Sequence, residues 1–223
     1  MVVGISIDYA ATGLGHMDRA PSRVCLARDG LVVYDSLVAV PNLEDPMEAY
    51  TQISAEELAA AVSTLDEVTD AVRALLSATD VIVGTAMVRT VRALGLVHGT
   101  HFNRLVDLVE RTRTWNRKFE HWNYYSLSKI AHVAGIAARP CNARDRAECA
   151  VSVLAALSPD GAVAKAKAQL QTKQYARQFP PEITAKPDMR VCTHAYNAEM
   201  CFCGQPTLSE RRVSVAPERT EAS

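Results

Sequence analysis

The chain has 223 residues, of which 48% are hydrophobic and 22% are charged, and its formal net charge is −1. This composition is typical of an ordinary soluble globular protein. The near-zero net charge gives no global electrostatic argument for binding a nucleic acid or a membrane surface. No apolar run approaches the roughly 20 residues that a helix needs to cross a bilayer, so we expect no transmembrane segment.

The cysteines indicate the redox environment in which the protein works. Cys25, Cys141 and Cys149 are scattered along the chain, and the other three cysteines cluster near its end. This distribution does not form the framework of a secreted, disulfide-bonded domain. The first predicted strand begins at residue 2, which leaves no room for an N-terminal targeting sequence. We therefore expect an intracellular protein, cytoplasmic or nuclear.

The first predicted strand ends in an acidic residue. Val3, Ile5 and Ile7 alternate with smaller or polar residues, which is the period of a strand, and Asp8 precedes a turn that contains glycine. A carboxylate in this position is well placed to bind a metal, because the sheet fixes it while the loop admits substrate. Asp8 is therefore the first candidate site residue.

The next segments predict an antiparallel meander followed by alternating helices and strands. Asp29-Gly30 lies between two apolar runs, a strong signal for a hairpin with a type I′ turn. Residues 54–57 and 64–67 both fit the capping box at a helix start. Residues 81–84 are wholly apolar, as in a buried strand, and a helix is predicted over about 86–94. This order of elements indicates an α/β fold.

Several segments resemble one known family. Residues 8–14, Asp-Tyr-Ala-Ala-Thr-Gly-Leu, resemble the Asp-x-Glu-Thr-Thr-Gly-Leu signature of the DEDDh 3′–5′ exonucleases of the ribonuclease H-like superfamily. Later motifs of the family are matched, in the right order and spacing, by residues 50–58, 81–94, 106–108, 126–131 and 141–149. The resemblance implies a mixed five-stranded sheet with helices on both faces for residues 1–157. Residues 158–223 then form a C-terminal extension.

The same resemblance implies that the catalytic site has degenerated. The family's metal-binding and general-base positions fall on Asp8, Ala10, Thr90, Cys141 and Arg146, so only Asp8 keeps a carboxylate. Two-metal phosphodiester hydrolysis needs several carboxylates around two cations about 4 Å apart. Ala10 offers no ligand, Thr90 offers at most a neutral hydroxyl, and Arg146 carries a fixed positive charge. We expect no catalytic Mg²⁺ and no exonuclease activity.

Two readings of Arg146 remain open at this stage. If the fold brings it close to Asp8, the two side chains form an ion pair where the family binds metal. In the other reading Arg146 points to solvent and Asp8 merely caps a loop. Asp145 could restore one carboxylate ligand if the register shifts by one residue.

A stretch over residues 111–125 combines aromatic and basic side chains. Such a mixture is found where single-stranded nucleic acids bind, and also at the hot spots of protein interfaces. A third reading is an irregular loop whose aromatic rings cover the core. The candidate binding residues are Arg111, Arg113, Trp115, Arg117, Lys118 and Trp122.

The C-terminal extension begins with a predicted exposed basic helix over residues 160–178, which ends before Pro180-Pro181. Beyond it, four residues fall in a twelve-residue window and are suited to a tetrahedral Zn²⁺ site: Cys192, His194, Cys201 and Cys203. Residues 201–207 resemble the start of a GRF-type zinc finger, although the distal ligands of that module are missing. The alternative is reduced thiols in a loosely ordered segment.

Together these observations predict a non-catalytic protein with an exonuclease fold. It would act as a scaffold or binding subunit in a nucleic-acid-processing or ribonucleoprotein complex, with protein partners and with RNA or single-stranded DNA as further ligands. The alternative is a 3′–5′ exonuclease with an atypical metal site.

Overall fold

The computed structural model describes residues 1–13, 18–176, 178–180 and 183. In this part of the chain no helix is both long enough and apolar enough to span a membrane.

A five-stranded mixed sheet forms the centre of the fold. Its strands are β1 (Val2–Ala11), β2 (Arg19–Arg28), β3 (Leu31–Leu37), β4 (Val81–Gly84) and β5 (Arg104–Asp107). Their order across the sheet is β3-β2-β1-β4-β5. β2 is antiparallel to both β1 and β3, whereas β4 is parallel to both β1 and β5. The predicted α/β fold with a mixed five-stranded sheet is confirmed.

The turn between β2 and β3 has the predicted geometry. Asp29 and Gly30 have φ angles of 54° and 83°. A type I′ turn requires positive φ at both central residues, and Asp-Gly adopts such angles at little cost. The sequence signal for this hairpin is therefore confirmed.

The helices lie after β3, both between the later sheet strands and beyond the last of them. They are α1 (Glu48–Thr51), α2 (Ala55–Ala59), α3 (Leu65–Leu75), α4 (Met87–Ala93), α5 (Leu108–Thr112), α6 (Leu127–Val133), α7 (Ala143–Ala156) and α8 (Ala162–Ala176). Both predicted capping boxes are present: Ser54 and Glu57 cap α2, and Thr64 and Glu67 cap α3. In each, the hydroxyl and the carboxylate satisfy backbone N–H groups that would otherwise lack partners.

β1 lies in the middle of the sheet and is covered on both faces. Val3, Ile5 and Ile7 pack in one cluster with apolar residues of α3 and α4, including Val72 and Met87. On the other face α7 approaches the backbone of β1 closely, since a Cβ at Gly4 would clash with the carbonyl group of Ala147. The side chains that β1 points toward α7 therefore lie between two rigid elements.

The structure corrects the predicted character of the C-terminal helix. We expected an exposed basic helix, but Ala166 and Leu170 of α8 are buried in one core cluster with Ile130 of α6 and Val153 of α7. Alanines are frequent in α8, so its buried positions did not stand out as a clear apolar pattern in the sequence. The domain boundary after residue 157 stays a prediction.

Candidate functional site

Asp8 lies inside β1 rather than at the end of a strand. β1 continues to Ala11, and its register with β2 shifts between Asp8 and Tyr9. The side chain of Asp8 is only 2% exposed. A carboxylate this deeply buried needs hydrogen-bond or ionic partners, because leaving it unpaired costs several kcal/mol, roughly 3 to 5.

Arg146 and the start of α7 provide these partners. Nη2 of Arg146 donates a hydrogen bond to Oδ1 of Asp8 at 2.7 Å, and the backbone N–H of Ala143 donates to Oδ2 at 2.8 Å. Asp8 thus accepts one bond from a guanidinium and one from the first turn of a helix. The first of the two readings of Arg146 is confirmed, and the reading in which it points to solvent is wrong.

The guanidinium of Arg146 is held on several sides. Nε donates to Oγ of Ser6 at 3.0 Å, and Nη2 also donates to the carbonyl oxygen of Ile7 at 2.9 Å. Nη1 donates to the carbonyl oxygen of Cys141 at 2.8 Å. The side chain is 23% exposed. Arg146 therefore joins β1, α7 and the segment before α7, and most of its donors are already used.

Two opposing effects act on the pKa of Asp8. Burial raises the pKa of Asp8 above its ordinary value of 3.8, because a charged carboxylate is poorly solvated between sheet and helix. The positive charge of Arg146 and the Ala143 N–H lower the pKa, but they do not cancel the effect of burial. The ion pair therefore only partly offsets the cost of burying this charge.

The remaining family positions bring no second carboxylate to Asp8. Ala10 is buried beside Ile53 and Leu58, and Thr90 is buried on α4. The thiol of half-buried Cys141 lies 3.3 Å from the carbonyl oxygen of Arg139. Within the described residues, no three His, Cys, Asp or Glu side chains are grouped so that they could hold a metal ion.

Two further carboxylates accept hydrogen bonds from backbone amides. Oδ2 of Asp145 accepts from the N–H of Cys141 at 3.4 Å, and in the described part of the chain Asp145 belongs to no group of three possible metal ligands. Asp107, at the end of β5, accepts from the N–H groups of Met87 at 2.8 Å and Val109 at 3.0 Å. Both carboxylates hold local backbone geometry.

Sequence reasoning missed two contacts around the site. Nδ2 of Asn142 donates to Oε1 of Gln52 at 2.6 Å, which ties the start of α7 to the end of α1. An asparagine directly before a helix is an N-cap signal, and Oδ1 of Asn142 does accept from the N–H of Asp145. The guanidinium of Arg89 lies over the ring of Tyr9 at 3.9 Å. Neither partner could be found from the local sequence.

The aromatic and basic stretch forms a second candidate site. It contains a two-stranded antiparallel sheet, β6 (Thr114–Asn116) and β7 (His121–Asn123), instead of an irregular loop. Trp115 and Trp122 are paired across it with ring centroids 5.3 Å apart. They are 43% and 41% exposed. The prediction of an irregular loop is therefore wrong, and the tryptophan rings are largely in solvent, but Tyr125 at the end of the stretch is buried in a core cluster.

Five of the six predicted binding residues belong to this hairpin or its immediate flank. The guanidinium of Arg113 lies 4.4 Å from the ring centroid of Trp122, and Arg117 and Lys118 are exposed in the turn. Arg111 is directed elsewhere, since its Nη2 donates to the carbonyl oxygen of Leu157 at 3.3 Å. The predicted zinc ligands Cys192, His194, Cys201 and Cys203 lie outside the described residues.

Comparisons with known proteins find relatives by structure alone. Models of known protein families give no match, and no curated protein matches the sequence. The Saccharomyces cerevisiae Pan2 pseudoubiquitin hydrolase–RNA exonuclease module is similar, with a TM-score of 0.61, 17% identity, and coverage of 80% of this chain and 32% of that chain. The same module in complex with A7 RNA has a TM-score of 0.61, 16% identity and the same coverages. The Neurospora crassa Pan2 catalytic unit, a protease and nuclease domain, has a TM-score of 0.58, 12% identity, and coverages of 77% and 29%.

These similarities establish the fold. The chain shares its mixed five-stranded α/β fold with the Pan2 exonuclease modules, as its sequence motifs implied. It spans about a third of the length of the Pan2 chains that it matches. At such low identity the site must be judged from this chain's own residues.

Proposed function

We propose that this chain is a non-catalytic exonuclease-fold protein that acts as a scaffold or binding subunit in a nucleic-acid-processing or ribonucleoprotein complex. The observation that carries the proposal is the contact between Arg146 and Asp8 at 2.7 Å. A guanidinium bonded to the one remaining family carboxylate occupies the ligand oxygen that a divalent cation would need.

The residues present do not fit the two metal ions that the fold family implies. Mg²⁺ requires near-octahedral coordination by hard oxygen ligands and loses its water reluctantly. Asp8 uses both oxygens for Arg146 and Ala143, and Ala10 and Thr90 supply no carboxylate. Arg146 adds a permanent positive charge, which repels a cation by Coulomb's law. We therefore derive no metal-dependent step for this protein.

The choice of a binding role rests on two further points. Among the solved structures that the chain resembles are Saccharomyces cerevisiae Pan2 modules named as RNA exonucleases, and one of these is in complex with A7 RNA. In this chain the exposed aromatic hairpin offers a surface that is separate from the Asp8–Arg146 contact in sequence. A fold in which an internal ion pair stands in place of metal ligands can still act as a rigid support for such a binding surface.

The test is a degradation assay with the purified full chain. Labelled single-stranded RNA and DNA oligonucleotides are incubated with Mg²⁺ or with Mn²⁺, and we expect no 3′ trimming by the wild-type protein. Activity that depends on metal and disappears in Asp8→Ala would contradict the proposal and support the atypical exonuclease. Activity that persists in Asp8→Ala and co-elutes with the chain in size-exclusion chromatography would also contradict the proposal.

A second readout avoids dependence on the choice of oligonucleotide. Thermal melting in millimolar Mg²⁺ reports binding to the folded state, because a ligand that binds only the native form raises its stability. We expect no shift for wild type. A rise in melting temperature that Asp8→Ala abolishes would show that the site does hold the cation.

A further inference from the structure

The hairpin of β6 and β7 leaves large aromatic side chains in water. Trp115 is 43%, Trp122 41% and Phe119 60% exposed, and all three lie within eight residues. Surface aromatics scattered singly need no explanation, but contiguous ones mark interaction sites. We call the hairpin surface the exposed side chains of Trp115, Arg117, Lys118, Phe119 and Trp122 together with half-buried Arg113.

The opposite side of the hairpin is anchored. Thr114, Asn116 and Asn123 are buried. The hydroxyl groups of Thr114 and Tyr125 lie 2.6 Å apart, and Oδ1 of Asn116 accepts from the N–H of Lys118 at 3.1 Å. The aromatic side chains are therefore presented on a fixed backbone, which reduces the ordering cost of binding.

The ring faces are already partly covered, which favours a protein over a single-stranded nucleic acid. Arg113 lies over Trp122, Trp115 packs against the same ring at a 68° angle, and Nζ of Lys118 lies 5.2 Å from the ring centroid of Phe119. Bases bind to such platforms by stacking on open ring faces. A protein partner can use the remaining edges and apolar borders, and Trp and Arg are the residues most enriched at its hot spots.

The charges of the hairpin surface also favour a protein partner over a single-stranded nucleic acid. Arg113 forms an ion pair with Glu110, and Glu120 lies in the turn beside Lys118, so few cations remain to follow a phosphate chain. Strong binding to nucleic acid rests on neutralising several phosphates. Arg117 is exposed, and its side chain forms no hydrogen bond or ion pair with any described residue. Among the described residues, the ammonium group of Lys118 has the Phe119 ring as its contact. Two neighbouring cations are thus available to a small number of carboxylates.

We propose that the hairpin surface docks a segment of a partner protein that carries apolar side chains for the tryptophans and carboxylates for Arg117 and Lys118. The apolar part would cover Trp115, Trp122 and Phe119, and the acidic part would fix the orientation of the segment. This inference rests on the proposed function, because it names the partner class of the binding subunit.

The test uses a displayed library of random peptides and the full-length chain as bait. Wild type is compared with the charge-reversed variant Arg117→Glu/Lys118→Glu, whose changes lie on exposed side chains and leave the anchoring residues intact. We expect wild type to enrich peptides that combine aromatic or aliphatic residues with Asp or Glu. The enriched peptide, synthesised with a fluorescent label, should bind the charge-reversed variant at least about tenfold more weakly.

Two controls make the result specific. Arg144→Glu/Lys165→Glu alters the net charge by the same amount as the charge-reversed variant, but on exposed residues of α7 and α8. It should bind the peptide like wild type. Trp122→Ala should weaken binding without lowering the melting temperature by more than a few degrees, since the ring is half in water. Equal binding by wild type and the charge-reversed variant, or no enriched peptide, would overturn the proposal.

A single-stranded oligouridylate at about 0.15 M salt serves as the competing probe. Tighter binding of this oligonucleotide than of the peptide, lost in Arg117→Glu/Lys118→Glu, would overturn the protein-docking proposal in favour of nucleic acid. The degradation assay is independent of these measurements. Metal-dependent trimming would reject the non-catalytic function and leave the peptide result standing, whereas a failed peptide test would leave the non-catalytic function standing.

Discussion

At the scale of single residues, Arg146 is the substitution that decides the chemistry of the site. Its guanidinium donates hydrogen bonds to the Ser6 hydroxyl and the Asp8 carboxylate, so it links α7 to β1. A buried ion pair seldom stabilises a protein more than apolar residues of the same size would, but breaking it from one side is costly. Substituting either Asp8 or Arg146 alone is therefore expected to lower the stability of the protein.

The first prediction is a double-mutant cycle on this pair. Arg146→Met leaves the carboxylate of Asp8 buried without its counter-charge, so the free energy of unfolding should fall by about 3 kcal/mol. Asp8→Asn combined with Arg146→Met should lose much less, because the asparagine oxygen can still accept from the Ala143 N–H. Urea denaturation of wild type, Arg146→Met, Asp8→Asn and the double variant measures the cycle.

The control for this cycle is Arg144→Met, an exposed arginine on the same helix. It should change the free energy of unfolding by less than about 0.5 kcal/mol. Equal losses in Arg146→Met and in the double variant would mean that Arg146 acts through packing rather than through its charge.

The second prediction concerns pH. Burial raises the pKa of Asp8 above 3.8, so between 3.8 and the folded-state value the native protein binds more protons than the unfolded chain. Stability from this group therefore falls as pH rises through that window. Asp8→Asn lacks the titration and serves as the reference.

Denaturation of wild type and Asp8→Asn at a series of pH values from about 3.5 upward isolates the effect of this one group. The free energy of unfolding of wild type minus that of the variant should decrease with rising pH. An increase would show that Arg146 outweighs burial and lowers the pKa of Asp8.

At the scale of secondary-structure elements, the sequence correctly predicted those features that depend on residues close together in the chain. The Asp29-Gly30 turn and the caps of α2 and α3 could be predicted because each depends on residues within three positions of one another. The β6–β7 hairpin was missed, since its strands have three residues each and its turn has no Asn-Gly or Asp-Gly. The contact of Arg146 with Asp8 remained one of two alternatives, because only the tertiary fold joins them.

The third prediction tests whether α8 is part of the domain core. Leu170 has no exposed surface and packs with residues of α6 and α7. Leu170→Ala should lower the free energy of unfolding by about 3 kcal/mol, because it removes buried methyl groups and leaves a cavity. The measurement is the midpoint of urea unfolding at constant slope.

Lys165→Ala is the matched control on an exposed position of α8, and it should change stability by less than about 0.5 kcal/mol. If Leu170→Ala proved as mild as this control, α8 would be separable from the core. The domain boundary after residue 157 would then gain support.

At the scale of the whole molecule, the fold shared with the Saccharomyces cerevisiae Pan2 module accounts for about four fifths of the chain, since that match covers 80% of it. The order of motifs in the sequence was sufficient to predict this fold. It could not reveal which surface the fold presents, because exposure of Trp115 and Trp122 depends on the register of a short hairpin. The metal-binding prediction for the C-terminal segment falls outside the described residues.

The fourth prediction concerns that segment. If Cys192, His194, Cys201 and Cys203 bind Zn²⁺, elemental analysis of the purified chain should give about one zinc per chain. Cys201→Ser should lose the metal, whereas Cys141→Ser, a change of thiol elsewhere in the chain, should retain it. Zinc-free, monodisperse wild-type protein would contradict the prediction.

The separation between Asp8 and Arg146 also has a consequence for synthesis. The two residues are 138 positions apart, and ribosomes add about 5–20 residues per second, so Arg146 is synthesised roughly 7–28 s after Asp8. During that time α3 and α4 become available to cover one face of β1, but the face that receives α7 stays open. A nascent chain that stalls before α7 would therefore offer chaperones a half-covered central strand with an unneutralised carboxylate.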